Sequence, residues 1–451
     1  MQNTNENPSG IDERDVGPAD TNAAEATPRL IHLHFGAGRL GLGLIAPWFQ
    51  KPGSKLYLFN RAVSGTNATG STALDAVRRN ELLRDHPQKS YLIQQPGEST
   101  SNGTAVRYDG FFAYDEENPE AAVREIARQI GPETSVIVTA SVLKPENYRA
   151  VLRALDILSQ KKQSEPDAMG RVFLIACENT LIASEVLEHE CLQDLITPET
   201  RRHVTPVHAL VDRMCVGLEE DGSHSHPTVL VRAEEYGVIK LELCPETEEM
   251  AELCRDSRIE WSRHVEVEKQ IKSWQLNGAH WLIALHALDT HDNIKTDFKL
   301  KEFFESSPEN HQFTRDVMQE ISEGIAILLR KDPTYADFVR DVDVEVYLAG
   351  TAASILRRFE TVDDSITRIL ARFHTPTPDD YDTIQSFSKR FADRVDLPME
   401  AHMSAKGATP AADTGIKSLY HLISQGNFID TVQSASEPDS EPDSQSATRG
   451  A

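Results

Sequence analysis

The feature that most constrains this chain is a glycine motif, Gly36-Ala37-Gly38-Arg39-Leu40-Gly41, set between the apolar runs RLIHLHF and GLGLIAPWFQ. At such a junction the first glycine permits a tight turn from strand to helix. The second lets the backbone approach a pyrophosphate, and the third allows close helix packing, with the helix N-terminus facing the anion. A turn without a ligand is the weaker alternative, because the motif opens a sheet. The rest of the first half alternates short apolar runs with helical patterns: KLYLFN, EAAVREIARQIG, TSVIVTAS, ENYRAVLRALDIL, RVFLIACEN and TLIASEVLEHECL. That alternation signals a parallel sheet with crossover helices.

Two polar stretches, GTNATGST and PGESTSNGT, read as loops elaborating the sheet, and PTVLVRAEEYGVIKLEL reads as a strand pair. From about Ile259 onward the pattern becomes amphipathic helix, as in FTRDVMQEISEGIAILLRK, VEVYLAGTAASILRRFE and IKSLYHLIS. The expected fold class is α/β, with an N-terminal doubly wound Rossmann-type domain over 29–258 and a mostly α-helical C-terminal domain over 259–432. Ligand chemistry is expected at the cleft between them. The flanking tails, 1–28 and 433–451, are rich in Pro, Ser, Asp and Glu and are expected to be disordered.

Composition sets outer limits. At 451 residues the chain exceeds the size at which one core keeps growing, which favours two domains. Its formal net charge of -25, of which the tails supply -8, argues against nucleic acid and anionic membrane partners. Five cysteines without a C-x-x-C pair suit a reducing compartment. With no signal peptide pattern and no membrane-spanning apolar run, a cytoplasmic location is expected.

Residues Phe35, Gly36, Ala37, Gly38, Arg39, Leu40 and Gly41 form the expected cofactor loop, with Thr139 on a later strand. The second strand ends LYLFNRA, where an NAD-type fold usually places an acid on the ribose 2'-hydroxyl. Asn60 stands there instead, beside Arg61. Asparagine can bond a hydroxyl without repelling a 2'-phosphate, and Arg61 can attract one or simply be solvated, so NAD and NADP both remain open.

A second feature is the apolar stretch IKSWQLNGAHWLIALHAL, which carries Lys272, Asn277 and His280. On a helix advancing roughly 100° per residue these three fall within about 140° of arc and can line one side of a pocket. Lys269 points nearly with His280, so spacing leaves the choice of lysine open. Taken singly, each has an ordinary structural role: a snorkelling lysine, a capped asparagine, a satisfied core histidine.

Four ordered segments, HFGAGRLGLGLI, IACENT, ALVDRM and KSWQLNGAH, together with the looser ILRRFETVDDSITRILAR, carry a family likeness. The sequence resembles the polyol-specific long-chain dehydrogenases, and within them the members acting on mannitol 1-phosphate. The resemblance implies that Lys272 is the general base, and that Asn277 and Asn179 hydrogen-bond the reacting oxygen. It further implies that His280 orients the substrate and that Asp212 borders the site, although Asp212 and Arg213 can equally be a structural ion pair. A lysine base must be neutral near working pH, and a desolvated pocket with nearby cations lowers its pKa in that direction. Two amide donors suit a developing alkoxide.

Where the family typically has R-F-x-N-P, this chain has Arg358-Phe359-Glu360-Thr361-Val362. Arg358, with Arg368 and Arg372, can hold a substrate phosphate; a solvated helix face explains the latter two nearly as well. No metal site is expected, since His224/His226 lie in a polar loop and His32/His34 point to one face of a strand without an acidic or thiol partner nearby in sequence. The implied activity is hydride transfer between NAD or NADP and a small polyol or sugar-alcohol phosphate. A dehydrogenase of an unphosphorylated polyol or sugar acid is one alternative, and a catalytically inactive dinucleotide-sensing protein is another.

Overall fold

The computed structural model describes residues 28–62, 75–96, 103–115, 118–142, 144–178, 182–223, 225–255, 257–290, 299–361, 369 and 391–407. Both tails, the two polar loops and the IKSLYHLIS stretch lie wholly or largely outside them. Thirteen strands are described: β1 (Leu30–Phe35), β2 (Ser54–Arg61), β3 (Ser90–Gln94), β4 (Thr104–Arg107), β5 (Gly110–Tyr114), β6 (Ser135–Ala140), β7 (Val172–Ala176), β8 (Val204–Val207), β9 (Ala209–Asp212), β10 (Cys215–Asp221), β11 (Thr228–Ala233), β12 (Val238–Glu242) and β13 (Glu260–Ser262).

Six of these form one parallel sheet in the order β5-β2-β1-β6-β7-β8. The order reverses direction between β1 and β6, which makes the carboxyl ends of those strands the switch point of a Rossmann-type sheet. Every residue of β1, β6 and β7 is buried, as expected for central strands covered on both faces. Helices α1 (Ala46–Trp48), α2 (Ala76–Asp85), α3 (Glu120–Ala127), α4 (Arg149–Ser164), α5 (Ala183–Glu188), α6 (Pro198–His203) and α7 (Glu248–Leu253) accompany the strands.

The expected strand pair in PTVLVRAEEYGVIKLEL does not form. β11 joins a four-stranded sheet, β10-β11-β3-β4, whereas β12 lies in a three-stranded sheet, β13-β12-β9. The connection between them turns Glu234 inward, where it is only 5% exposed and bound by a buried arginine.

The second half is helical: α8 (Val265–Lys272), α9 (Ala279–Thr290), α10 (Leu300–Ser306), α11 (Pro308–Lys331), α12 (Ala336–Asp341), α13 (Val344–Thr361) and α14 (Leu397–Lys406). Helix α9 is apolar nearly all round, and Trp281, Leu282, Ile283, Ala284 and Leu285 all lie in the core of this half. α8 runs into α9 through a π-helical turn, Ser273–Gly278. Gln275 of that turn is buried and donates to Ser322 Oγ at 2.8 Å and to the Leu348 carbonyl at 2.9 Å, tying the turn to α11 and α13. α11 begins on a Ser307 cap that accepts from Asn310 N, followed by Pro308. α11 and α14 touch backbone to backbone at Gly324, where an added Cβ would lie 1.9 Å from the Pro398 carbonyl oxygen.

Candidate active site

The glycine loop is built as its motif implies. Gly36 sits at φ +103°, open to glycine and strained for other residues, and its amide donates to Phe59 O at 2.9 Å. Gly41 must be glycine for packing, since a Cβ there would fall 2.2 Å from Gly36 O and 2.3 Å from His34 Nε2. Above Gly38 a Cβ would meet nothing within 4 Å. Open space over the second glycine, at the start of the Gly41–Ile45 π-turn that leads into α1, fits the approach of a dinucleotide's phosphates.

Several expected cofactor contacts have other employment. The Phe35 side chain is fully buried and stacks on Phe59, so it faces the core. Thr139 is likewise fully buried, with its hydroxyl between His32 and His34. It supports the loop from beneath and has no surface to offer a ligand. Asn60 is half-buried; its Oδ1 accepts from Ala37 N at 3.2 Å and its Nδ2 donates to Asn80 Oδ1 at 2.7 Å. It thus clamps the loop to α2 while keeping one lone pair and one N–H for a further bond. Arg61 is exposed, and exposed Arg39 donates to Val216 O at 3.3 Å. Leu40 is half-buried against the core.

Lys272 lies at the end of α8, its Nζ donating to Val211 O at 2.6 Å and standing 3.6 Å from Asp212 Oδ1. Burial pushes its pKa below the usual lysine range; Asp212 opposes that shift, and Arg358 adds to it. The carboxyl of Asp212 stays below its ordinary value despite burial, because Lys272 and Arg358 hold it ionised. Lys269, one turn earlier, is also lowered by burial and by Lys272.

Arg358 corrects two expectations. It is 5% exposed and forks both ways: Nη1 and Nη2 donate to Asp212 at 2.6 and 3.3 Å, and Nη2 and Nε donate to Glu234 at 2.8 and 3.2 Å. Its charge is met by two carboxylates, the half-buried Asp212 and the buried Glu234, so it is not placed to serve as a phosphate ligand. Asp212 in turn pairs with Arg358 and Lys272 and not with its neighbour Arg213, which donates to Glu234 O at 2.8 Å and to Gly43 O. Through Arg213 the segment beside the lysine is bonded to the turn that follows the glycine loop.

His280 is 8% exposed and stacks on Phe359, at 5.1 Å between ring centroids, next to Arg358. Asn277 is half-buried within the π-turn. Asn179, Arg368, Arg372 and His224 lie outside the described residues. Among the described residues no group of three or more His, Cys, Asp or Glu side chains is placed to hold a metal ion, no disulfide joins the five cysteines, and no helix is long and apolar enough to cross a membrane.

Glu234, Asn80, Ser141 and the carbonyl of Val211 escaped the sequence reading. Each acts through a partner distant in the chain. The nearest signal was for Glu234, a charged residue between two apolar strands.

No family model matches the chain. It is 28% identical over 193 residues to the mannitol-1-phosphate 5-dehydrogenases of Lactococcus lactis subsp. cremoris strains SK11 and MG1363. That alignment covers 42% of this chain and 43% of each relative, so the match spans less than half the relatives' length. Among solved structures, Pseudomonas fluorescens mannitol 2-dehydrogenase in ternary complex with NAD and D-mannitol aligns with a TM-score of 0.50 at 13% identity, covering 92% of this chain and 88% of that one. A substrate-free D-sorbitol dehydrogenase aligns with a TM-score of 0.50 at 11% identity, covering 90% and 94%. The chain therefore shares the fold of these two dehydrogenases, a parallel nucleotide-binding-type sheet followed by a helical half, and part of its sequence is similar to the Lactococcus enzymes.

Proposed function

We propose that the chain is an NAD(P)-dependent oxidoreductase that interconverts a small polyol and its ketose, with Lys272 as the general base. The observation that carries this reading is the half-buried Lys272, whose pKa is depressed and whose neighbour Asp212 is one residue from Arg213, itself bonded to the turn after the glycine loop. A neutral amine there accepts the alcohol proton, and the chain's other residues orient the reacting carbon. When bound, the nicotinamide supplies the hydride acceptor. Asn277 and Asn179 are the proposed donors to the reacting oxygen, His280 the proposed orienting residue, and Asp212 the group that tunes the base.

An unphosphorylated polyol is the favoured substrate class. Arg358, the described residue proposed to hold a phosphate, is neutralised by Asp212 and Glu234, and the two structural neighbours are named for mannitol and sorbitol. A phosphorylated polyol is the second reading, favoured by the partial sequence match. The test crosses mannitol, sorbitol and mannitol 1-phosphate with NAD and NADP and follows reduced-nicotinamide absorbance. Turnover that Lys272→Ala abolishes while dinucleotide binding persists supports the assignment. Full turnover in Lys272→Ala overturns it, and binding without turnover on any substrate points to a sensing role.

A further inference from the structure

Two histidines of β1 and one threonine of β6 sit beneath the glycine loop. His32 Nε2 and His34 Nδ1 each lie 2.7 Å from Thr139 Oγ1, and His34 Nε2 lies 3.0 Å from the Gly36 carbonyl oxygen. The parallel register sets Thr139 directly beside His34. All three side chains are at most 1% exposed.

The direction of every proton in this chain follows from its last member. A carbonyl oxygen only accepts, so His34 Nε2 carries the hydrogen. The Nδ1 of that neutral ring then accepts, and the Thr139 hydroxyl donates to it. Having spent its one proton, Thr139 accepts from His32 Nε2–H. His32 Nδ1 is left as a bare acceptor, and it is buried without a hydrogen-bond partner against Phe49. An orphan lone pair costs less than an orphan N–H, which fits that assignment. Burial lowers the pKa of both rings, His34 to about 4, so both are neutral near pH 7.

We infer that His32, Thr139 and His34 form a one-way hydrogen-bond relay that fixes the Gly36 carbonyl and so sets the dinucleotide affinity of the glycine loop. The relay ends on the peptide that matters most: Gly36 O also accepts from Gly38 N at 2.7 Å and from Ser141 Oγ at 3.1 Å, and the next amide, Ala37 N–H, points to Asn60. His34 further occupies the space that makes Gly41 obligatory. His34 is a positioning residue and touches no substrate. The inference rests on the dinucleotide reading proposed above.

The test uses the full chain. Correlation spectra of imidazole nitrogens report the tautomers, and fluorescence titration with NADH and NADPH reports Kd for the wild type, Thr139→Val, Thr139→Ser and His34→Phe. The relay predicts Nε2–H tautomers for both rings, a Kd raised about tenfold in Thr139→Val, and near wild-type Kd in Thr139→Ser, with circular dichroism unchanged in both. His34→Phe is expected to weaken binding at least as much, and the threonine pair stands if that variant fails to fold. An Nδ1–H tautomer at His34, or an unchanged Kd in folded Thr139→Val, overturns the relay. Wild-type protein that binds neither dinucleotide overturns the dinucleotide reading and the inference with it, an outcome distinct from wild-type binding that the variants leave unaltered.

Discussion

Lys272 and Asp212 stand 3.6 Å apart in a site where the carboxylate has a stronger partner in Arg358, at 2.6 Å. Asp212 therefore moderates the lysine without capturing it. Its negative charge favours the ammonium form, so removing it should lower the Lys272 pKa further. In Asp212→Asn the limb of polyol oxidation that rises with pH should move to lower pH, because the base loses its proton earlier. A pH profile of kcat checks this, and a shift to higher pH would contradict the assigned base.

Arg358→Met should destabilise the protein by about 3–5 kcal/mol, since it strands the buried carboxylate of Glu234 and takes from half-buried Asp212 its nearer partner. Urea unfolding of the variant measures the loss. A change below about 1 kcal/mol would mean that water or Lys272 can replace the guanidinium.

Two glycines of one motif should part company. Gly41→Ala drives a methyl into Gly36 O and the His34 ring, and overpacking of that kind costs about 1–3 kcal/mol. Gly38→Ala places its methyl in open space, so its thermal midpoint should stay near wild type while dinucleotide affinity falls. Scanning calorimetry and ligand titration separate the two effects, and equal losses of stability would refute the distinction.

Gly324→Ala should lower the thermal midpoint sharply, because its methyl would meet the Pro398 carbonyl where α11 crosses α14. The expected cost is about 3 kcal/mol or more, as backbone has no rotamer to yield. Hydrogen exchange should place the loss in the helical half.

The parts legible in the sequence were those encoded locally. The glycine motif, the alternation of apolar run and helix, and the switch to amphipathic helices near Ile259 each declare themselves within a dozen residues, and the six-stranded sheet follows from them. The buried ion network could not be read that way. Arg358 meets Glu234 and Asp212 across separations of 124 and 146 residues, and an arginine in an acidic chain was read as a phosphate ligand. Thr139 lies on the strand expected of it but beneath the loop, fully buried, because strand alternation alone does not say which face a ligand shares. The π-turn was invisible to a wheel of fixed angle.

That turn carries one residue more than an α-helical path from Lys272 to His280 would need. Removing one residue from Ser273–Gly278 without changing any side chain named above would let the helix close as an ordinary α-helix. Because the π-turn holds one residue more than the α-helical turn that would replace it, the downstream residues would keep their facing, with His280 still on Phe359 and α9 still in its slot in the core. A single deletion in this segment should therefore be tolerated better than a single insertion, which would turn everything downstream by roughly 100° about the axis; thermal midpoints of the two variants check this. The extra residue therefore serves the local placement of Gln275 and Asn277 on the turn, while the docking of α9 does not depend on it.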